Sequence, residues 1–262
     1  MTGMRRIGDL SVAVSGTGAP ALVFVHGFSF DRRMWAPQVA AFADRHLCVC
    51  PDLRGFGDSA LPVGDYDHAA DLAQVIAATV PGPYVLVGLS LGANVALALA
   101  AQRPAGLAGL VLASSGLIGH DWGAEERPPA AADRIAAAEG VEAARTFWLA
   151  HPLFASLDDH PQARAAVEAM VAAYSGWHWQ ARGRGARIAP VAALSDVAAS
   201  TLVISGDRDA NGYREIAGLL AQGIPGARLV RLAGLGHCCS LEDPDRFNTE
   251  LASFLAALGK AP

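Results

Sequence analysis

The chain has 262 residues, of which 52% are hydrophobic and 17% charged, with a formal net charge of −5. That is long enough for one large domain or a domain with an insertion, and too apolar for a disordered or fibrous protein. The acidic balance excludes a general binder of phosphate backbones, so no nucleic acid is expected as a partner.

Met1 to Leu10 holds Arg5, Arg6 and Asp9 without an apolar core of signal-peptide length. Later apolar runs are short and broken by Gly and Pro, so no membrane span is expected. Ile7 to Ser15 alternates loosely and ends at Gly16-Thr17-Gly18, which predicts an N-terminal hairpin or edge strand. Ala21 to Val25 is a continuous apolar run, the pattern of a strand covered on both faces, and it leads straight into His26-Gly27-Phe28. Asp31 to Phe42 reads as helical, with Met34, Trp35, Val39 and Phe42 as its apolar positions. Leu47 to Cys50 is a second buried strand and runs into a turn-rich loop, Pro51 to Ser59. A helix over Asp71 to Val80 stops at Pro81-Gly82-Pro83. Tyr84 to Val87 is the next strand, Gly88-Leu89-Ser90-Leu91-Gly92 a tight turn, and Ala93 to Ala101 a helix. Leu107 to Leu112 is a further strand, ending at Ser114-Ser115.

This alternation predicts an α/β fold: a mostly parallel twisted sheet with helices on both faces and the ligand site at the carboxyl ends of its strands. The pattern changes near Leu117. No clear buried strand is visible between Ile118 and Asp196, where Val141 to Ala150 and Gln162 to Tyr174 have helical spacing. The expected organisation is a core of residues 1–117 and 196–262, with a helical cap of residues 118–195 inserted after the sixth strand. Trp122, Trp148, Trp177 and Trp179 fall in the cap. They are candidates for substrate contact, or for stapling the cap to the core. The sheet resumes at Thr201 to Ser205, followed by Gly206-Asp207-Arg208-Asp209. Arg228 to Leu232 is a half-exposed last strand, and Gly234-Leu235-Gly236-His237 follows it. Asp243-Pro244 opens a closing helix with Phe247, Leu251, Phe254, Leu255 and Leu258 on one face.

Cys48, Cys50, Cys238 and Cys239 lack zinc-site spacing, and an adjacent pair makes a poor disulfide. They read as buried free thiols of a reducing compartment, so a cytoplasmic location is expected, with no metal and no cofactor.

A strand, a serine between small residues, then a helix is the context that makes Gly-x-Ser-x-Gly a nucleophile elbow. A serine hydroxyl needs a base within hydrogen-bond reach, and the base needs a carboxylate to fix its tautomer. In chain order the candidates are Ser90, then Asp207 or Asp209, then His237. All follow predicted strands at one sheet edge. The other histidines lack such a setting, although His120 and His178 could reach a substrate from the cap. Leu91, next after the serine, offers a backbone N–H to an oxyanion.

Five segments in order, His26-Gly27-Phe28, Asp52 to Ser59, Gly88 to Gly92, Gly206 to Asp209 and Gly236-His237, resemble the α/β-hydrolase superfamily over nearly the whole chain. Within it the chain is similar to small bacterial esterases, enol-lactonases, cofactor-free haloperoxidases and C–C bond hydrolases. The resemblance implies the α/β-hydrolase fold, Asp209 as the acid, Phe28 as the second oxyanion donor, His26 as a structural residue of that loop, and Arg54 and Asp58 as a network stabilising their own loop. The activity it implies is cleavage of an ester or lactone of a small, largely apolar substrate through an acyl-enzyme on Ser90. Alternatives with the same residues are C–C hydrolysis, perhydrolysis, a thioesterase or cyclase, or a non-catalytic small-molecule receptor. A homodimer is possible.

Overall fold

The computed structural model describes residues 3–123, 128–180, 186–188, 190 and 192–259; parts of the expected cap, residues 124–127, 181–185, 189 and 191, lie outside them. The chain opens with a hairpin of β1 (Gly3–Ile7) and β2 (Leu10–Ser15), paired antiparallel. β3 (Ala21–Val25) follows, then a 3-10 turn over Arg32–Trp35, α1 (Ala36–Phe42) and β4 (Cys48–Pro51). Asp31 starts the helical segment because its carboxylate accepts the Arg33 N–H at 2.9 Å, an N-terminal cap. After β5 (Tyr66–Asp67) come α2 (His68–Thr79), β6 (Tyr84–Leu89), α3 (Leu91–Ala100) and β7 (Leu107–Ala113).

Between β7 and the next strand of the large sheet lie α4 (Pro128–Glu139), α5 (Val141–Leu149), a 3-10 segment (Pro152–Asp159), α6 (Pro161–Ala173), α7 (Trp177–Gln180) and β8 (Ala186–Arg187). The chain ends with β9 (Ser200–Gly206), α8 (Asn211–Gly223), β10 (Arg228–Leu232), α9 (Cys239–Glu242) and α10 (Pro244–Leu258). The spacing predicts only α5 and α6 in the insertion. α4 escapes because its run, Pro-Pro-Ala-Ala-Ala-Asp-Arg-Ile-Ala-Ala-Ala-Glu, carries too few large apolar side chains to mark a face. The two-residue ladder of β5 with β8 is too short to leave a period of two.

The large sheet has eight strands in the order β1-β2-β4-β3-β6-β7-β9-β10. The six from β4 to β10 run parallel, and the hairpin adds two antiparallel strands at one edge. The insertion thus follows β7, the sixth strand of this sheet in chain order. β3 and β6 are buried throughout, which explains their unbroken apolar runs. From β3 the chain steps outward to β4, and it later returns to β6 on the opposite side. Right-handed crossovers therefore place α1 and α3 on opposite faces. α1 packs with α10, and α2 with α3. Asp243 caps α10 by accepting the Arg246 N–H at 3.0 Å, and the helix buries Phe247, Leu251 and Phe254, worth about 2 kcal/mol each.

The reversal of strand order at β3 and β6 opens a crevice at their carboxyl ends. His26-Gly27-Phe28 leaves one strand there and Ser90 the other. Among the described residues no helix is long and apolar enough to cross a membrane. All four cysteines are free and buried, and burial pushes the Cys48 thiol up to about 12.

Candidate active site

Ser90 joins β6 to α3 with φ 55° and ψ −110°, a backbone conformation L residues rarely adopt. Its flanking glycines are required by space. A Cβ on Gly88 would lie 2.5 Å from the Ala93 nitrogen, and one on Gly92 would lie 2.1 Å from the Val25 carbonyl oxygen. The Ser90 N–H donates to the Ala113 carbonyl at 2.9 Å, which ties the turn to β7. Leu91 is the first residue of α3, so its N–H belongs to the first turn and has no acceptor within the helix.

His237 and Asp209 are both buried, and they meet across the loops after β10 and β9. His237 Nδ1 lies 2.9 Å from Asp209 Oδ1 and 3.1 Å from Oδ2. A carboxylate can only accept, so Nδ1 carries the proton and Nε2 is left with its lone pair. Asp209 Oδ1 also accepts the Ala210 N–H at 2.8 Å, which orients the carboxylate. Asp207 is engaged differently. Its Oδ1 accepts the Gly234 N–H at 2.7 Å and closes the turn that leads to His237.

Ser90 and His237 line one narrow cavity together with Phe28, Phe30, Trp148, Leu153, Phe154 and Tyr213. It has room for about one water. The Tyr213 ring lies 4.3 Å from the His237 ring. Of the four tryptophans considered for substrate contact, Trp148 is the one among the lining residues. The others are engaged elsewhere. Trp122 packs on Tyr213 and on Gly212, Trp177 on Tyr66 and His178, and Trp179 on Phe28 and Tyr174. Ser29 has no signal in the sequence. It is buried at φ 63°, donates to the Phe28 carbonyl at 2.6 Å and accepts the Trp148 Nε1–H at 2.8 Å. The loop carrying Phe28 is therefore fastened to α5.

The other polar residues of the motifs serve their loops. His26 Nε2 accepts the Leu53 N–H at 2.9 Å, so Nδ1 is the protonated nitrogen and donates to the Gly27 carbonyl at 2.8 Å. Burial holds its pKa below the usual histidine value. Arg54 makes a two-pronged pair with Asp71 at 2.9 and 2.6 Å and also bonds Asp9. Asp58 pairs with Arg32, which also bonds Asp52. His120 faces Trp122 and lies 4.0 Å from Glu215.

His178 is enclosed against Phe56, with ring centroids 4.2 Å apart, and its two nitrogens meet Tyr66 and Tyr174 hydroxyls at 2.7 and 2.9 Å. Burial brings its pKa down to about 3. His68 is fully buried with neither ring nitrogen partnered, and burial holds it well below 6.5. These groups, with His26, stay neutral in the folded chain where the unfolded chain takes up protons. Their contribution to stability is complete above about pH 6.5 and is lost as pH falls from there toward the folded values, by about 1.4 kcal/mol per pH unit for each group. The urea midpoint is expected to fall between pH 7 and pH 5, before most carboxylates titrate. A midpoint flat over that range would contradict the assignment.

The model of the alpha/beta hydrolase family matches residues 22–250. A 2-succinyl-6-hydroxy-2,4-cyclohexadiene-1-carboxylate synthase of Salmonella schwarzengrund is 32% identical over 257 residues, covering 91% of this chain and 94% of its own. A Klebsiella pneumoniae protein, provisionally named as the carbamate hydrolase RutD, is 29% identical over 253 residues, covering 92% and 93%. Among solved structures, a thermophilic esterase of Thermogutta terrifontis superposes with a TM-score of 0.79 at 28% identity, covering 98% of this chain and 99% of the other. With its eight-stranded sheet and its motifs in order, the chain belongs to the alpha/beta hydrolase family and is an α/β-fold hydrolase.

Proposed function

We propose that this hydrolase cleaves a carboxylic ester or lactone of a small, largely apolar substrate through an acyl-enzyme on Ser90. The observation that carries the reading is the His237–Asp209 pair, whose imidazole shares a cavity with the serine of a strained strand–helix turn. In this reading His237 Nε2 takes the hydroxyl proton as Ser90 Oγ bonds to the carbonyl carbon. The oxyanion is met by the N–H groups of Phe28 and Leu91. The imidazolium then protonates the leaving alkoxide, and a water activated by His237 releases the acid.

The apolar lining supports a neutral acyl group, and the six side chains beside Ser90 and His237 include no cation to receive a carboxylate. Likeness to the Thermogutta esterase supports attack on an ester. The segment between β7 and β9 is read as a cap: Trp148, Leu153 and Phe154 come from it and roof the cavity, so substrate entry requires them to move. Incubation with a fluorophosphonate should add one label, on Ser90, and p-nitrophenyl acetate or butyrate should be turned over. A folded, unlabelled protein inert to esters, lactones and carbamates would sink the proposal.

A further inference from the structure

Glu242 ends α9, and its side chain is fully buried. Its Oε2 accepts the Gly236 N–H at 2.6 Å and its Oε1 accepts the Cys238 N–H at 3.0 Å. These are the backbone N–H groups of the residues immediately before and after His237. The third donor comes from the insertion: Ser156 Oγ bonds Oε1 at 3.1 Å. Ser156 belongs to the same 3-10 segment as the cavity residues Leu153 and Phe154. The contact is close enough that a Cβ on Gly236 would lie 2.0 Å from Ser156 Oγ. Among the described residues the nearest basic group is His160, whose Nε2 lies 4.0 Å from Oε2. Arg208 and Arg164 also stand close enough to act electrostatically on this corner.

A carboxylate buried this deeply is costly unless donors satisfy it, and here the hydrogen-bond donors come from the base's own loop and from the insertion. We propose that Glu242 is a positioning residue for His237, one carboxylate that holds the backbone N–H groups of the residues on either side of it and ties them to the cap at Ser156. The proposal rests on the serine-hydrolase reading above.

The test compares Glu242→Gln with the wild type on p-nitrophenyl butyrate from pH 5 to 9. Gln keeps one acceptor oxygen and loses the other, so one flanking amide is released. The kcat is expected to fall at least about tenfold with KM within about threefold. Loss of fold alone would lower the number of fluorophosphonate-labelled sites and leave the kcat per labelled site unchanged. A kcat per labelled site within twofold of wild type overturns the proposal. Glu242→Asp keeps the charge and is one methylene too short to span both amides. If the Gln variant does not fold, this one should lose at least about tenfold in kcat per labelled site with KM within about threefold. A kcat within twofold then overturns the proposal. A wild type that is inert to esters and to the fluorophosphonate instead refutes the hydrolase reading itself.

Discussion

Ser90→Ala is expected to lower p-nitrophenyl ester turnover by about a million-fold and to abolish fluorophosphonate labelling. The size follows from what remains. In the proposed mechanism the N–H groups of Phe28 and Leu91 and the apolar cavity still bind and polarise a carbonyl, which leaves about a thousand-fold or more over water. The covalent route is lost entirely. Fold should survive, because the turn is held by the backbone bond to Ala113 and by the close approaches at Gly88 and Gly92, none of which needs the hydroxyl. Alanine tolerates φ 55° no better and little worse than serine, so melting is expected to shift by only a few degrees. A variant that melts normally and keeps more than about one per cent of the activity would place the nucleophile elsewhere.

The parts of the site that could be read from the sequence are those where a local constraint forces a residue type. Gly88 and Gly92 stand where other backbone comes within van der Waals distance, so the spacing around Ser90 carries the information. β3 and β6 are buried on both faces and show it as unbroken apolar runs. His237 and Asp209 each follow a strand at the same edge, which order along the chain reveals. The residues that escaped act through contacts between distant segments. Ser29 reaches Trp148, 119 positions away, and Ser156 reaches Glu242, 86 positions away. No period or short motif marks such pairs. The insertion is hard to read for a different reason: half of α4 is alanine, and the 3-10 segment from Pro152 has no 3.6-residue repeat to detect. The tryptophans illustrate the limit. Their number pointed to the cap, but only the fold distinguishes Trp148 at the cavity from Trp122, which leans on Tyr213 behind it.

Asp209→Asn is expected to lower kcat by about ten-thousand-fold, whereas Asp207→Asn should leave it within about threefold. The two carboxylates sit two positions apart in one turn, so composition cannot separate them. Their partners do. Asp209 accepts from His237 Nδ1 at 2.9 Å. An asparagine there can turn its NH₂ toward Nδ1, which makes that nitrogen the acceptor and puts the proton on Nε2, where it can no longer take one from Ser90. It also removes the negative charge that stabilises the imidazolium formed during attack. Asp207 instead accepts a backbone N–H from Gly234, and an asparagine keeps an oxygen for that bond. The same comparison should appear in labelling rates with a fluorophosphonate, since formation of the adduct uses the same base. Asp207→Asn inactive with Asp209→Asn near wild type would transfer the role of acid to Asp207. Both variants near wild type would mean that His237 needs neither carboxylate.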